Sequence, residues 1–326
     1  MIRIGMIGFG GMARRRHVPW INETGKFQIK AASDIVEDTG LAAECAIPNY
    51  YTDYRYILDD PEIDAVLIAT PHDLHEEHAV AAFEAGKHVL IEKPIARNLA
   101  ESKAIIAAAE KAGTVGMIGF CQRYTPNHAF VKQLIENGDL GTILSARVDH
   151  YQNFCPAPGS WWRSADLVGG GAVIGSGVHR LDLLRWYFGE AESVYAIASH
   201  MPERLEAEAC VHAAIKFKSG VVADFSINWA VYDHLFHETL SVGGKNGFVV
   251  TGLANKVSLR GVDEGKLKDF TAPPCATMYQ HFAACIDTGE KPLTNLYEGC
   301  KSLQLVRAIY QSIETGAPVN PETVTF

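Results

Sequence analysis

Residues 2–13 read Ile2-Arg3-Ile4-Gly5-Met6-Ile7-Gly8-Phe9-Gly10-Gly11-Met12-Ala13. The first six form a short apolar run that reads as a buried strand. The next six make a G-x-G-x-x-A loop. Met12 to Ile21 then reads as helix, and Phe27 to Ser33 as a second strand that ends at Asp34. Strand, glycine loop, helix, strand and acid, in that order, make up the fingerprint of a dinucleotide site. Gly8 permits the tight turn off the strand. Gly10 lets the backbone approach a pyrophosphate, and the small Ala13 lets the helix pack on the sheet. Phe9, Gly11 and Met12 complete the loop, where the helix start offers free N–H groups and a positive dipole end to phosphates. Asp34 follows about twenty residues on, where a carboxylate accepts hydrogen bonds from a ribose diol.

Beyond Asp34 the same alternation continues. Val36–Ala46 and Thr52–Leu58 read as short helices. Ala65–Ala69 is an uninterrupted apolar run, the mark of a parallel strand buried on both faces, and it ends at Thr70-Pro71. A helix from about Leu74 to Ala85 stops at Gly86. Lys87–Ile91 is a further strand, ending at Glu92-Lys93-Pro94. Asn98 caps a helix over Leu99–Ala112 that Gly113 closes, and Thr114–Phe120 is the next strand. This alternation predicts a Rossmann domain, a doubly wound parallel sheet, over residues 1–121. Ligands of such sheets lie beyond the carboxyl ends of the strands. Asp34, Thr70, Pro71, His72, Glu92 and Lys93 all stand at such ends. Lys93 is held stiffly, because proline restricts the residue before it. His72, His75 and His78 are spread around their helix, which argues against a metal and for caps or surface histidines.

A second domain, 122–326, follows. Pro126–Asn137 reads as helix and Gly141–Tyr151 as a long strand. Gln152–Ser164 is rich in rings and prolines, with Phe154, Trp161, Trp162 and Arg163. It is either a sugar-binding loop or a loop packed with tryptophans. Gly169-Gly170-Gly171 introduces a helix, Val178–Phe188, with His179 in its first turn. There the positive helix end favours neutral imidazole. From Ser193 the pattern has period two. Ala209, Val211, Ala213, Ile215 and Phe217 alternate with polar or small residues, Ser219-Gly220 makes a hairpin turn, and Val221 to Trp229 alternates again. Leu235–Val242 and Phe248–Thr251 are further strands. The prediction is a predominantly antiparallel open sheet with one buried face. Thr277–Asp287 and Leu296–Ile313 are helical.

The stretches G-F-G-G-M-A, A-T-P-H-D-L-H-E-E-H-A (69–79), A-G-K-H-V-L-I-E-K-P (85–94) and G-G-G-A-V-I-G-S-G-V-H (169–179), with Asp34, resemble the glucose–fructose oxidoreductase, inositol dehydrogenase and rhizopine-catabolism (Gfo/Idh/MocA) family, essentially end to end. The resemblance implies that Lys93 lies between nicotinamide and substrate and that Pro94 follows a cis bond. It implies oligomers formed through the open face of the second sheet, and a last helix that packs back near the first domain. The cofactor contacts expected are Gly8 to Ala13, Asp34, Thr70, Pro71, His75, Glu92 and Lys93. The substrate contacts expected are Lys93, Arg123, Trp162, Arg163, Asp166 and His179. One position departs from the family. Its helix motif carries an Asp four residues before the His, and here that position is Gly175. Asp182 and Asp166 are the two acids nearby in sequence.

The function expected is hydride transfer between NAD(P) and a sugar, cyclitol or related polyhydroxy or keto compound. Such a reaction also moves a hydroxyl proton. A histidine titrates near neutrality and can carry it, which assigns acid–base work to His179. Lys93 stabilises charge on the reacting oxygen. Asp34 favours NAD, while Ser33, Arg14 and Arg15 leave room for the extra phosphate of NADP. Two other readings fit the same fold: a non-catalytic cofactor-binding regulator, and a glycosidase that oxidises its substrate transiently with bound NAD.

Composition narrows the partners. A net charge of −9 disfavours nucleic acid and anionic membranes. Seven scattered cysteines without a C-x-x-C point to a reducing compartment and away from a disulfide framework. No apolar stretch approaches a membrane span, and the N-terminal apolar run belongs to the fold. The expected location is the cytoplasm, and the expected partners are a small molecule and other copies of the chain.

Overall fold

A computed structural model describes residues 1–37, 39–231, 236–252, 256–261 and 268–324. The chain forms two compact units, and neither is one run of sequence. Met1–Gly119 joins Ala276–Cys300, and Phe120–Cys275 joins Lys301–Phe326. From the sequence the expected division falls after Cys121, with a last helix that packs back near the first domain.

The first unit carries β1 (Ile2–Ile7), α1 (Val18–Thr24), β2 (Phe27–Ser33), α2 (Thr39–Glu44), β3 (Tyr50–Tyr51), α3 (Arg55–Leu58), β4 (Ala65–Ile68), α4 (His75–Glu84), β5 (His88–Ile91), α5 (Leu99–Ala112) and β6 (Gly116–Ile118). Its six strands run parallel in the order β3-β2-β1-β4-β5-β6, the doubly wound arrangement. All four residues of β4 are buried, as its continuous apolar run requires for a strand covered on both faces. The Asn98 side chain accepts from the Glu101 amide and Gly113 closes α5 in the left-handed region. Two helices are shorter than expected, α2 and α3. The expected strand over Thr114–Phe120 narrows to β6. β3 was not expected at all, since two residues carry no periodicity. Before α1 the chain makes a π-helical turn, Ala13–His17.

The second unit holds α6 (Pro126–Glu136), β7 (Ile143–Gln152), α7 (Ala165–Val168), α8 (Val178–Phe188), β8 (Ala191–His200), β9 (Glu208–Phe217), β10 (Val222–Asn228), β11 (Phe236–Gly244), β12 (Gly247–Gly252), β13 (Lys256–Gly261) and β14 (Lys268–Thr271). The sheet order is β14-β13-β12-β11-β7-β10-β9-β8. β7 and β10 pair parallel and the other neighbours antiparallel. The period-two reading holds. Val211, Ala213, Ile215 and Phe217 of β9 are buried, and His212, Ala214 and Lys216 between them are exposed. Leu235, the expected start of β11, lies outside the described residues. β13 and β14, also unexpected, extend the sheet edge. Two helices follow, α9 (Met278–Thr288) and α10 (Leu296–Thr315). α9 belongs to the first unit, where Phe282 stacks on Phe27 and Tyr279 meets Phe27 edge-on. Among the described residues no helix is long and apolar enough to cross a membrane.

Candidate active site

The glycine loop is shaped for close backbone approach. Gly8 has φ +89°, and a Cβ there would lie 2.7 Å from the Ala69 carbonyl carbon, so only glycine turns the chain off β1. At Gly10 a Cβ would meet no atom within 4 Å. The loop backbone therefore fronts open space, as a pyrophosphate site requires. Ala13 is fully buried, and Phe9 is buried edge-on to Tyr50. The Phe9 amide donates to Asp34 Oδ2 at 2.9 Å, and the Gly8 amide to the Ser33 carbonyl at 2.9 Å. The acid at the end of β2 is thus tied to the loop that it serves. Exposed Met12 and the long Arg15, whose guanidinium folds back over Gly11, flank the opening. These residues fit a dinucleotide. Gly10→Leu is expected to abolish NAD binding in a calorimetric titration with little change in melting temperature, because its Cβ would meet no protein atom and its side chain would enter ligand space.

The ends of β4 and β5 are cross-braced. Lys93–Pro94 is a cis peptide. Glu92 Oε1 stands 2.7 Å from His17 Nε2, whose Nδ1 stands 2.7 Å from the Tyr279 hydroxyl. The other Glu92 oxygen accepts from the Lys93 amide at 3.1 Å. Burial opposes ionisation of Glu92, but the His17 hydrogen bond and the charges of His17 and Lys93 prevail and hold its carboxyl below the usual range. His75 has one ring nitrogen 2.9 Å from the Pro94 carbonyl and the other 3.0 Å from that of Thr70, so it clamps one strand end to the other. Burial lowers its pKa. His78 Nδ1 is 3.1 Å from Thr70 Oγ1, and burial takes this imidazole down to about 4.

The expectation of surface histidines is therefore corrected. His72, His75 and His78 are all buried. His72 lies in a separate one-turn helix, and His75 and His78, three apart, share the inner face of α4. His17 and Tyr279 had no sequence signal as parts of this site. They are 262 residues apart.

In the second unit the helix bearing His179 begins earlier than its sequence suggests. A π-helical turn, Val173–Gly177, runs directly into α8. His179 thus lies in the body of a continuous helix, and the helix-end field, confined to the first turn, does not reach it. Phe120 meets the His179 ring edge-on at 6.1 Å.

Gly175 is one turn before His179 on the same helix face. A Cβ at Gly175 would stand 2.8 Å from Trp229 Cζ2 and 3.2 Å from the Trp162 ring. Trp229 is buried and donates from Nε1 to Ser176 Oγ at 2.8 Å. Phe154 packs on Trp229 at 4.4 Å, and Trp161 stacks on Trp162 at 4.2 Å. The volume that a side chain at 175 would need is filled by indole. In sequence Trp229 only ends a strand pattern, and nothing local marks it as a neighbour of Gly175.

Asp182 does not stand in for that side chain. Asp182 is buried against Arg123, with oxygens 2.7 Å from Nε and 2.6 Å from Nη2, and it accepts from Ser302 Oγ at 3.0 Å. Burial raises its pKa against the attraction of Arg123. Arg123, expected as a substrate contact, is the buried partner in this ion pair. Arg163 donates to the carbonyls of Arg204, at 3.0 Å, and Glu203. Its loop and residues 202–206 frame a surface cleft of about 560 Å³ that Trp161 and Glu206 also line. Asp166 lies in the first turn of α7, and Trp162 is half-buried within the ring cluster. Among the described residues no group of three or more His, Cys, Asp or Glu is placed to hold a metal.

A family model described as the oxidoreductase family with an NAD-binding Rossmann fold matches residues 2–120, and one described as the GFO/IDH/MocA C-terminal domain matches residues 128–250. The chain is 31% identical to levoglucosan dehydrogenase of Pseudarthrobacter phenanthrenivorans, over 86% of this chain and 80% of that one. It is 30% identical to 1,5-anhydro-D-fructose reductase of Ensifer adhaerens, over 99% of each. A solved levoglucosan dehydrogenase in complex with NADH and L-sorbose superposes with a TM-score of 0.91 at 25% identity, covering 99% of both chains. This chain belongs to the Gfo/Idh/MocA oxidoreductases. It is an NAD-dependent oxidoreductase that acts on a small molecule.

Proposed function

We propose that the enzyme interconverts a carbinol and a carbonyl on a sugar, an anhydro sugar or a cyclitol, with His179 as acid–base and Lys93 as the group that steadies the reacting oxygen. The observation that carries this reading is the bracing of Lys93. Its amide donates to Glu92 Oε2, and His75 stands 2.9 Å from the carbonyl of the next residue, Pro94. A lysine whose backbone is so held at the carboxyl end of β5 is suited to stabilising developing negative charge. Bound NAD supplies the hydride acceptor, or NADH the donor. His179 takes the hydroxyl proton in oxidation and returns one in reduction. Relatives named for levoglucosan, 1,5-anhydro-D-fructose and myo-inositol support this substrate class. A screen of polyols, anhydro sugars and keto sugars, followed by nicotinamide absorbance with each cofactor, tests it. Turnover is expected, faster with NAD than with NADP because of Asp34. A folded, NAD-binding protein that turns over none of them would refute the assignment.

The open face of the second sheet supports a homo-oligomer. Tyr195 and Ile197 of β8 and Val222 of β10 are exposed there, on the two strands that flank β9. Ile197→Asp is expected to lower the mass measured by light scattering to that of a single chain. The free state of all seven cysteines supports a cytoplasmic location.

A further inference from the structure

We infer that Glu208 and Tyr310 are positioning residues: from β9 and α10 they cap the helix that carries His179, and so set where its imidazole stands. This rests on the reading of His179 as the acid–base group. A helix begins with amides that have no intrahelical acceptor, and a side chain at its own N-cap ordinarily supplies one. Here the three residues before Ala172 are Gly169, Gly170 and Gly171, which have no side chains. The acceptors come from elsewhere in the chain. The Val173 amide donates to Glu208 Oε1 at 2.9 Å. The Gly171 and Ile174 amides both donate to the Tyr310 hydroxyl oxygen at 3.2 Å. That hydroxyl in turn donates to Glu208 Oε1 at 3.1 Å. Arg307, one turn before Tyr310, donates to the Gly169 carbonyl at 3.1 Å and anchors the turn from the other side.

The glycines are what permit this approach. A Cβ on Gly170 would run into the Tyr310 hydroxyl and ring, and one on Gly171 would stand 2.7 Å from Glu208 Oε2. Gly170 also has φ +143°, outside the range that side chains favour. Three side chains, Glu208, Tyr310 and Arg307, thus converge on one helix start, and the helix runs on through the π-helical turn to His179. Any shift of the start travels along the helix to the imidazole. A misplacement of about 1 Å at a reacting group can cost roughly 10²-fold in rate.

The test uses Glu208→Ala, Glu208→Gln and Tyr310→Phe in the full chain. NAD affinity, kcat on a substrate found in the screen, and the ¹⁵N resonances of the His179 ring, assigned by their loss in His179→Gln, are measured for each. Glu208→Ala and Tyr310→Phe are expected to lower kcat by about 10–10²-fold, shift the His179 resonances and leave NAD affinity unchanged. Glu208→Gln, which keeps an acceptor oxygen, is expected to restore both kcat and the resonances. Folded Glu208→Ala and Tyr310→Phe proteins with unmoved resonances and unchanged kcat would overturn the proposal. So would kcat falling only in step with NAD affinity. If the unmodified enzyme turns over nothing, the proposed function fails, and the resonances still decide whether the cap positions His179. Should the alanine variant not fold, Tyr310→Phe against Glu208→Gln decides the matter.

Discussion

His179→Ala and Lys93→Ala are each expected to lower kcat by about 10²–10⁴-fold, the usual worth of general acid–base assistance, with NAD affinity nearly unchanged. Neither residue belongs to the glycine loop, whose shape rests on Gly8, Gly10 and the bond from Phe9 to Asp34. The two losses have different origins. Removing His179 takes away the group that holds the proton, so small bases such as imidazole added to the medium should recover part of the rate. Removing Lys93 takes away a charge tethered to a strand end whose backbone is braced by Glu92 and His75, and a diffusing cation has no such tether. Lys93→Ala should therefore resist rescue. Steady-state kinetics of both variants with and without added amine or imidazole checks this. Turnover close to that of the unmodified enzyme in either variant would mean that another group does its work.

What was legible in the sequence is what depends on neighbours along the chain. The strand, glycine loop, helix and acid over residues 2–34 declare themselves because each step needs a particular residue locally. Gly8 needs a positive φ, and Asn98 and Gly113 mark the two ends of α5 in the same local way. Alternation in β9 and β10 marks a buried face because strand geometry has period two. What was not legible depends on partners far along the chain. Glu92 is braced by His17 and Tyr279, which no local pattern links. The histidines of α4 turned out to be buried because the element packed on them, not their own spacing, decides which face is inside. Arg123 reads as an available cation until Asp182 meets it across 59 residues. The helix of His179 begins before its sequence pattern shows it, because three glycines read as a loop and its cap lies on β9 and α10. β3 and β14 are too short or too exposed to impose a pattern.

Gly175→Asp is expected to destabilise the enzyme rather than to restore the acid that its family carries at this position. The new Cβ would stand 2.8 Å from Trp229 Cζ2, and the ring cannot simply swing away, because Ser176 holds its Nε1 and Phe154 packs on its face. Overpacking of this kind costs about 1–3 kcal/mol. A carboxylate pressed against indole adds the cost of burying a charge without a partner. Trp229→Ala alone is also expected to destabilise, by about 3–5 kcal/mol, since it empties a well-filled site. The two changes should not add. With the indole gone, the aspartate has room, and the double variant should be more stable than the sum of the single losses predicts, by roughly 0.5–3 kcal/mol for residues in contact. Denaturant unfolding of the four proteins gives this coupling directly. Strict additivity would show that Trp229 does not occupy the space of a side chain at 175. A favourable coupling would show that glycine at 175 and tryptophan at 229 are one substitution spread over two positions, so that the acid was not merely lost but replaced by an apolar ring. In that case the double variant, alone among the four, should gain turnover on the more hydroxylated members of the substrate screen.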